Sequence, residues 1–225
     1  DVMFAIPGQT LDSWRMTLGQ ALALGSEHLS CYEVIYEDNT PLFAQLEAGE
    51  FDVDEDLACA MYDEFVDRAG QAGFAQYEIA NSARTSKPGN EEILAHPTGR
   101  CLPAFASQHN VNYWQGCSFY GLGPSATSYV RGIRTKNFAN TQLYCDLLEQ
   151  GRRAIESCEQ LPAFARAGET AAFGLRMTSG WPFKEFIQAT GYDLRTEWSD
   201  DMNILIERGW AARTPDLFRL TQPGL

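Results

Sequence analysis

Basic side chains are scarce in this chain of 225 residues. Seventeen lysines and arginines face thirty aspartates and glutamates, for a formal charge of −13. A surface of that sign repels phosphate backbones and anionic membrane surfaces, which excludes a general nucleic-acid binder. Long hydrophobic runs are missing too: no stretch of eighteen apolar residues is available to form a membrane-crossing helix. The opening Asp-Val-Met-Phe-Ala-Ile lacks the basic, apolar and small-residue segments of a signal peptide, so a cytoplasmic protein is expected. It also lacks an initiator methionine, and the chain stops at Arg-Leu-Thr-Gln-Pro-Gly-Leu, so truncation at both ends is expected.

Metal-binding residue types are thinly spread. The six cysteines (Cys31, Cys59, Cys101, Cys117, Cys145 and Cys158) lie 13 to 42 positions apart and form no Cys-x-x-Cys pair. That spacing offers no zinc site and no redox switch, and each reads as a small, partly buried thiol. Only three histidines occur, His28, His96 and His109. His28 starts a strand and His96 lies in a loop, neither with a partner at ligand spacing.

What is present is ample apolar material, 44% of the residues, arranged with clear periodicity. Residues 1–6 form a short apolar run closed by Pro7 and Gly8, the signature of a buried strand. A helix follows, with Thr10 as its cap, Leu11, Trp14, Leu18 and Leu22 on one face, and Gly25 as its stop. "HLSCYEVIY" (28–36) is the next strand, completing a βαβ unit and implying a parallel sheet. A second helix is predicted from Asp54, burying Leu57, Met61 and Phe65 and ending at Gly70 and Gly73. A third strand, 74–80, precedes a segment without periodicity, 81–107, which contains Pro88, Pro97 and Pro103 and reads as a long loop.

Beyond "SFYGLGPSATSYVRG" the pattern turns helical. Apolar stripes predict helices over 140–155, 166–178, 182–190 and 193–208, and two short strand-like pieces follow, "WAAR" and "LFRL". Helices followed by a small hairpin make a winged-helix pattern, whose acidic helices argue against DNA. Trp181, Phe183, Trp198 and Trp210 are expected in its core rather than on a docking patch. The domains are thus predicted as 1–137 and 138–225.

One stretch, "QHNVNYWQG" (108–116), concentrates His109, Asn110, Asn112, Tyr113 and Trp114. From these residues alone His109 reads as a structural histidine in a turn, with Asn110 and Asn112 fixing its ring. The same residues also suit haem, since a neutral imidazole is a good axial ligand and aromatic rings pack on a porphyrin face.

Taken in order, "DVMFAIPGQTLDSW", "HLSCY", "YEIANSAR", "HNVNYWQG" and "YGLGPSATSY" resemble the later part of the radical S-adenosylmethionine proteins related to oxygen-independent coproporphyrinogen III oxidase. The His-Asn-x-x-Tyr-Trp segment is similar to that of the haem chaperone branch. The resemblance implies an α/β fold, the C-terminal part of an incomplete (β/α)6 barrel followed by a mainly helical, winged-helix-like domain. It implies S-adenosylmethionine contacts at Asp1, Ile35 and Thr127, where Thr127 departs from the residue usual in either branch, and haem contacts at His109, Asn110, Tyr113 and Trp114. It implies a [4Fe-4S] cluster as well, but the Cys-x-x-x-Cys-x-x-Cys motif is absent from these 225 residues, and the cluster ligands are expected upstream of Asp1. No catalytic residue is assigned. The implied partners are haem or a porphyrinogen, a membrane respiratory haem protein as acceptor, and a second copy of the chain in a homodimer. The alternative function within the family is radical oxidative decarboxylation of coproporphyrinogen III.

Overall fold

The computed structural model describes residues 1–85 and 102–225. His96, Cys101, Pro88 and Pro97 lie outside the described residues. Two compact units follow one another, Asp1–Ala106 and Ser107–Leu225. The expected domain boundary at 137/138 therefore falls inside the second unit.

In the first unit, strand β1 (Val2–Phe4) leads into helix α1 (Leu11–Ala23) and strand β2 (His28–Glu33), and β1 and β2 pair in parallel with Val2 opposite Cys31. Thr10 starts α1 with a reciprocal capping box: its side chain accepts from the Ser13 amide while the Ser13 hydroxyl accepts from the Thr10 amide. Helix α2 (Pro41–Glu47), unforeseen in the sequence reading, begins with Thr40 as cap and Pro41 in its first turn, a recognisable start signal. Helix α3 (Glu55–Gln71) is capped by Asp54, which accepts from the Leu57 amide at 2.9 Å. It runs past Gly70, and the left-handed Gly73 (φ 84°) follows its end.

Strand β3 (Phe74–Glu78) turns back into strand β4 (Asn81–Arg84), so the expected loop over 81–107 is corrected at its start. The sheet order is β1-β2-β4-β3, with β4 antiparallel to both neighbours. Asn81, Ser82 and Ala83 are buried there, a polar strand whose backbone partners on both sides outweigh its weak β-propensity. The core comprises Phe4, Trp14, Leu18, Leu29, Met61, Phe65 and Phe74. Trp14 Nε1 donates to the Met61 carbonyl at 2.8 Å, linking α1 to α3.

The second unit opens with helix α4 (Gln108–Trp114). Strands β5 (Thr127–Val130) and β6 (Ile133–Asn137) form a hairpin, helix α5 (Thr141–Glu149) follows, and strand β7 (Ile155–Gln160) completes an antiparallel sheet β5-β6-β7. The helix expected over 140–155 thus stops at a left-handed Gly151 (φ 69°), and its last expected residue already belongs to a strand.

Helix α6 (Ala163–Gly174), strand β8 (Trp181–Pro182) and helix α7 (Phe183–Thr190) come next. The helix expected over 193–208 is two pieces, α8 (Leu194–Glu197) and α9 (Ser199–Glu207), broken where Trp198 leaves helical geometry (φ −126°, ψ 32°). Strands β9 (Ala211–Arg213) and β10 (Leu217–Leu220) pair with β8 in the order β8-β10-β9, so the hairpin foreseen as a wing has a third strand. Trp181 and Phe183 are buried and Trp198 packs against this core, as expected, whereas Trp210 is 39% exposed under the Arg208 guanidinium. Among the described residues no helix is long and apolar enough to cross a membrane.

Candidate functional site

The "QHNVNYWQG" stretch is a two-turn helix, not a turn. Ser107 caps it by accepting from the Asn110 amide, Val111 is its buried anchor, and Gly116 (φ 71°) follows its end. Helical spacing puts His109 and Tyr113 four residues apart on one face, and their rings meet edge to face at 4.8 Å. His109 is exposed, and its ring has no hydrogen-bond partner among the described residues. Asn112 donates instead to the Ser118 carbonyl at 3.2 Å, and Asn110 makes its bond through its backbone. Tyr113, rather than either asparagine, is what touches the imidazole.

Alternation along the β5–β6 hairpin presents Thr127, Tyr129 and Arg134 on one face of the sheet, with Tyr129 directly opposite Arg134. That face, α4 and α6 enclose an open cleft of about 380 Å³, whose walls include Tyr113, Trp114, Phe119, Thr127, Tyr129 and Phe173. The aromatic rings form a run, Tyr113 to Phe119 at 4.0 Å between centroids and Phe119 to Tyr129 at 6.1 Å, and a separate pair, Trp114 to Phe173 at 6.5 Å. Such a lining suits a flat apolar ligand with few polar groups.

Arg134 closes one side of the cleft, bound to Glu169 at 2.6 Å and Glu159 at 2.7 Å. The hydrogen bond that Arg134 donates to Glu169 raises the Arg134 pKa above its already high ordinary value, with burial opposing. Trp114 stacks under the Arg176 guanidinium at 4.5 Å, yet its buried indole Nε1 has no acceptor among the described residues. Gly121 also has a structural explanation: a Cβ there would collide with the Thr127 backbone. The space it leaves is filled by the chain itself.

Of the seven site residues named from sequence, this cleft gathers Tyr113, Trp114 and Thr127, with His109 touching Tyr113. Phe119, Tyr129, Phe173, Arg134 and Glu169 were not foreseen. Thr127 and Tyr129 carried a usable signal, the period-two alternation within "SATSYV"; Phe173 and Glu169 come from α6, and nothing local in the sequence links them to α4.

In the first unit, Asp1 precedes β1 and is exposed, while Ile35 follows β2 and is 75% exposed. The parallel register sets Val2 against Cys31, so the two lie toward opposite ends of the strand pair and are not brought together. Ile6, Pro7 and Gly8, at the C-terminal end of β1, line a small depression with Glu33, Asp52 and Asp54. The described residues do not fit an iron–sulfur cluster. Cys31 is buried, with its thiol pushed up to about 12 by desolvation; Cys59, Cys117, Cys145 and Cys158 are exposed and scattered. Among the described residues no group of three His, Cys, Asp or Glu side chains could hold a metal ion.

No family model matches the chain. It is 28% identical to "Heme chaperone HemW" of Bacillus subtilis over 225 residues, all of this chain and 55% of the relative. It is 34% identical over 127 residues to the zebrafish (Danio rerio) "Radical S-adenosyl methionine domain-containing protein 1, mitochondrial", which covers 56% of this chain and 24% of that one. A solved structure, the coproporphyrinogen III oxidase HemN of Escherichia coli, described as a radical SAM enzyme, superposes with a TM-score of 0.70 over 97% of this chain and 50% of that one, at 16% identity. The chain spans about half the length of the curated relatives it matches. The order of its motifs, its α/β fold and these relatives together make the chain similar to the HemN-like radical S-adenosylmethionine proteins, and in particular to the relatives named heme chaperone HemW.

Proposed function

We propose that the protein is a haem chaperone of the radical S-adenosylmethionine superfamily, and that this chain takes up haem at α4. His109 supplies the axial imidazole. Tyr113 and Trp114, with Phe119 and Phe173 behind them, supply aromatic walls for the porphyrin, and Asn110 sits on the same short helix. The observation that carries this reading is the exposed, unbonded His109 ring resting edge-on against Tyr113, itself a wall of the aromatic cleft. An imidazole held at one edge by an aromatic ring and open at the other fits haem iron by its donor chemistry.

Likeness to these radical S-adenosylmethionine proteins implies S-adenosylmethionine and a [4Fe-4S] cluster. Motif position alone supports cofactor contacts at Asp1, Ile35 and Thr127, of which Asp1 and Ile35 lie toward opposite ends of the β1–β2 pair. The cluster supplies electron-transfer chemistry when bound, and among the described residues no group of three thiols is gathered to hold it. The reading carries with it a membrane respiratory haem protein as acceptor, a cytoplasmic location and self-association as a homodimer. Its test is a haem titration followed in the Soret region. His109→Ala is expected to shift or abolish the Soret band of the complex; an unchanged spectrum and affinity would return His109 to a structural role.

A further inference from the structure

The β5-β6-β7 sheet has two faces. Thr127, Tyr129 and Arg134 look into the aromatic cleft, while Ser128, Val130, Ile133, Thr135 and Asn137 look the other way. That second face, with α5 along one side, forms an open groove of about 580 Å³. Its apolar surface comes from Val130, Ile133, Ile155, Tyr144, Leu148 and Tyr120. Three of these are large and solvent-exposed: Tyr120 at 76%, Leu148 at 48% and Ile133 at 39%.

The charge of the groove is opposite to that of the molecule. Although the chain carries −13, the groove is lined by Arg131 and Arg153 and, among the described residues, by no acidic side chain. Neither arginine has an ion-pair partner among the described residues, whereas Arg134, on the other face, has two. The two cations bracket the groove: Arg131 sits in the hairpin turn beside Ile133, and Arg153 precedes Ile155, which pairs with Asn137 at the far end of β6. Four residues of strand separate Ile133 from Asn137, roughly 13 Å.

Arg131 is also costly where it stands. It occupies the first position of the two-residue turn with φ 53°, followed by Gly132 at φ 83°, a turn that asparagine, aspartate or glycine fills without strain. A bulky side chain kept in the left-handed region calls for a reason, and a guanidinium at the mouth of an apolar groove provides one.

We propose that this groove is a second ligand site, distinct from the aromatic cleft, that takes an elongated apolar molecule bearing a carboxylate or similar anionic head. The apolar body lies along Val130, Ile133 and Leu148, and the head is held by Arg131 or Arg153.

The test titrates the full chain with 1-anilinonaphthalene-8-sulfonate, an apolar anion whose fluorescence rises on burial. Saturable binding is expected, displaced by decanoate but not by decanol or decyltrimethylammonium at the same concentration. The double variant Arg131→Gln/Arg153→Gln is expected to lose at least tenfold in affinity. Ile133→Asp, which places a carboxylate on the groove floor, is expected to do the same and decides the matter if the double variant fails to fold. His109→Ala is expected to leave the titration unchanged, which separates this site from haem binding. Unaltered affinity in the folded variants, or displacement by decanol as readily as by decanoate, would overturn the proposal. So would flotation with phosphatidylglycerol vesicles that depends on both arginines while decanoate displaces nothing, since the surface would then serve a membrane.

Discussion

Two tryptophans show how the same side chain differs in worth with its partners. Trp14 is fully buried and its Nε1 donates to the Met61 carbonyl, whereas the buried Nε1 of Trp114 finds no acceptor among the described residues. Trp14→Phe is expected to destabilise the chain by about 1–3 kcal/mol, from the lost bond and the space left behind. Trp114→Phe removes an orphaned donor and is expected to stay within about 1 kcal/mol of the parent. Urea melts of the two variants check this directly, and a larger loss at position 114 would contradict the assignment. His28 gives a pH dependence. Its ring meets Tyr77 Oη at 2.9 Å, and its pKa is lowered by burial. The unfolded state then binds the proton more readily, so the stabilising contribution is present above the ordinary value near 6.5 and is lost as pH falls through the folded value. His28→Gln is expected to flatten the stability profile below about pH 6.5; an unchanged profile would show that His28 does not contribute. At this scale the sequence marked His109, Tyr113 and Trp114 because unusual residues stood together. It could not mark Phe173 or Arg134, which reach the cleft only through pairing and packing.

Local signals identified elements well where a cap or stop stood beside a periodic stripe. Thr10 and Gly25 bound α1, and Asp54 starts α3. They failed where tertiary pairing overrode a weak pattern. Asn81–Arg84 reads as polar loop and is a buried strand because β2 and β3 flank it; "IESCEQ" carries almost no apolar periodicity and is the edge strand β7. The α4 helix was hidden by its two asparagines, poor helix formers held by the Ser107 cap and the buried Val111. Close approach also governs the junction of α6 and β8. Gly174 ends α6 against the Trp181 indole, whose Nε1 donates to the Ala171 carbonyl, and a Cβ at 174 would overlap that ring. Alanine ordinarily favours a helix over glycine by about 1 kcal/mol, yet here overpacking should prevail. Gly174→Ala is expected to lose about 1–3 kcal/mol; a thermal melt at or above that of the parent would contradict the packing.

For the whole molecule, charge and fold point the same way. An excess of thirteen negative charges leaves little attraction for nucleic acid, so no gel shift with duplex DNA is expected at physiological salt; a shift would reopen a nucleic-acid role for the winged-helix-like part. The family was legible in the order of five short motifs, while the antiparallel β4 and the three-stranded sheet around the cleft were not, since both depend on pairings between distant residues. The central claim is that haem is held by His109 on α4, and the chain has only three histidines with which to hold it. The decisive measurement is therefore a haem titration of three single variants, His28→Ala, His96→Ala and His109→Ala, read as Soret position and dissociation constant. Loss or displacement of the band in His109→Ala alone is the expected result. A parent-like spectrum in His109→Ala, or an equal loss in either of the other two, would contradict the account.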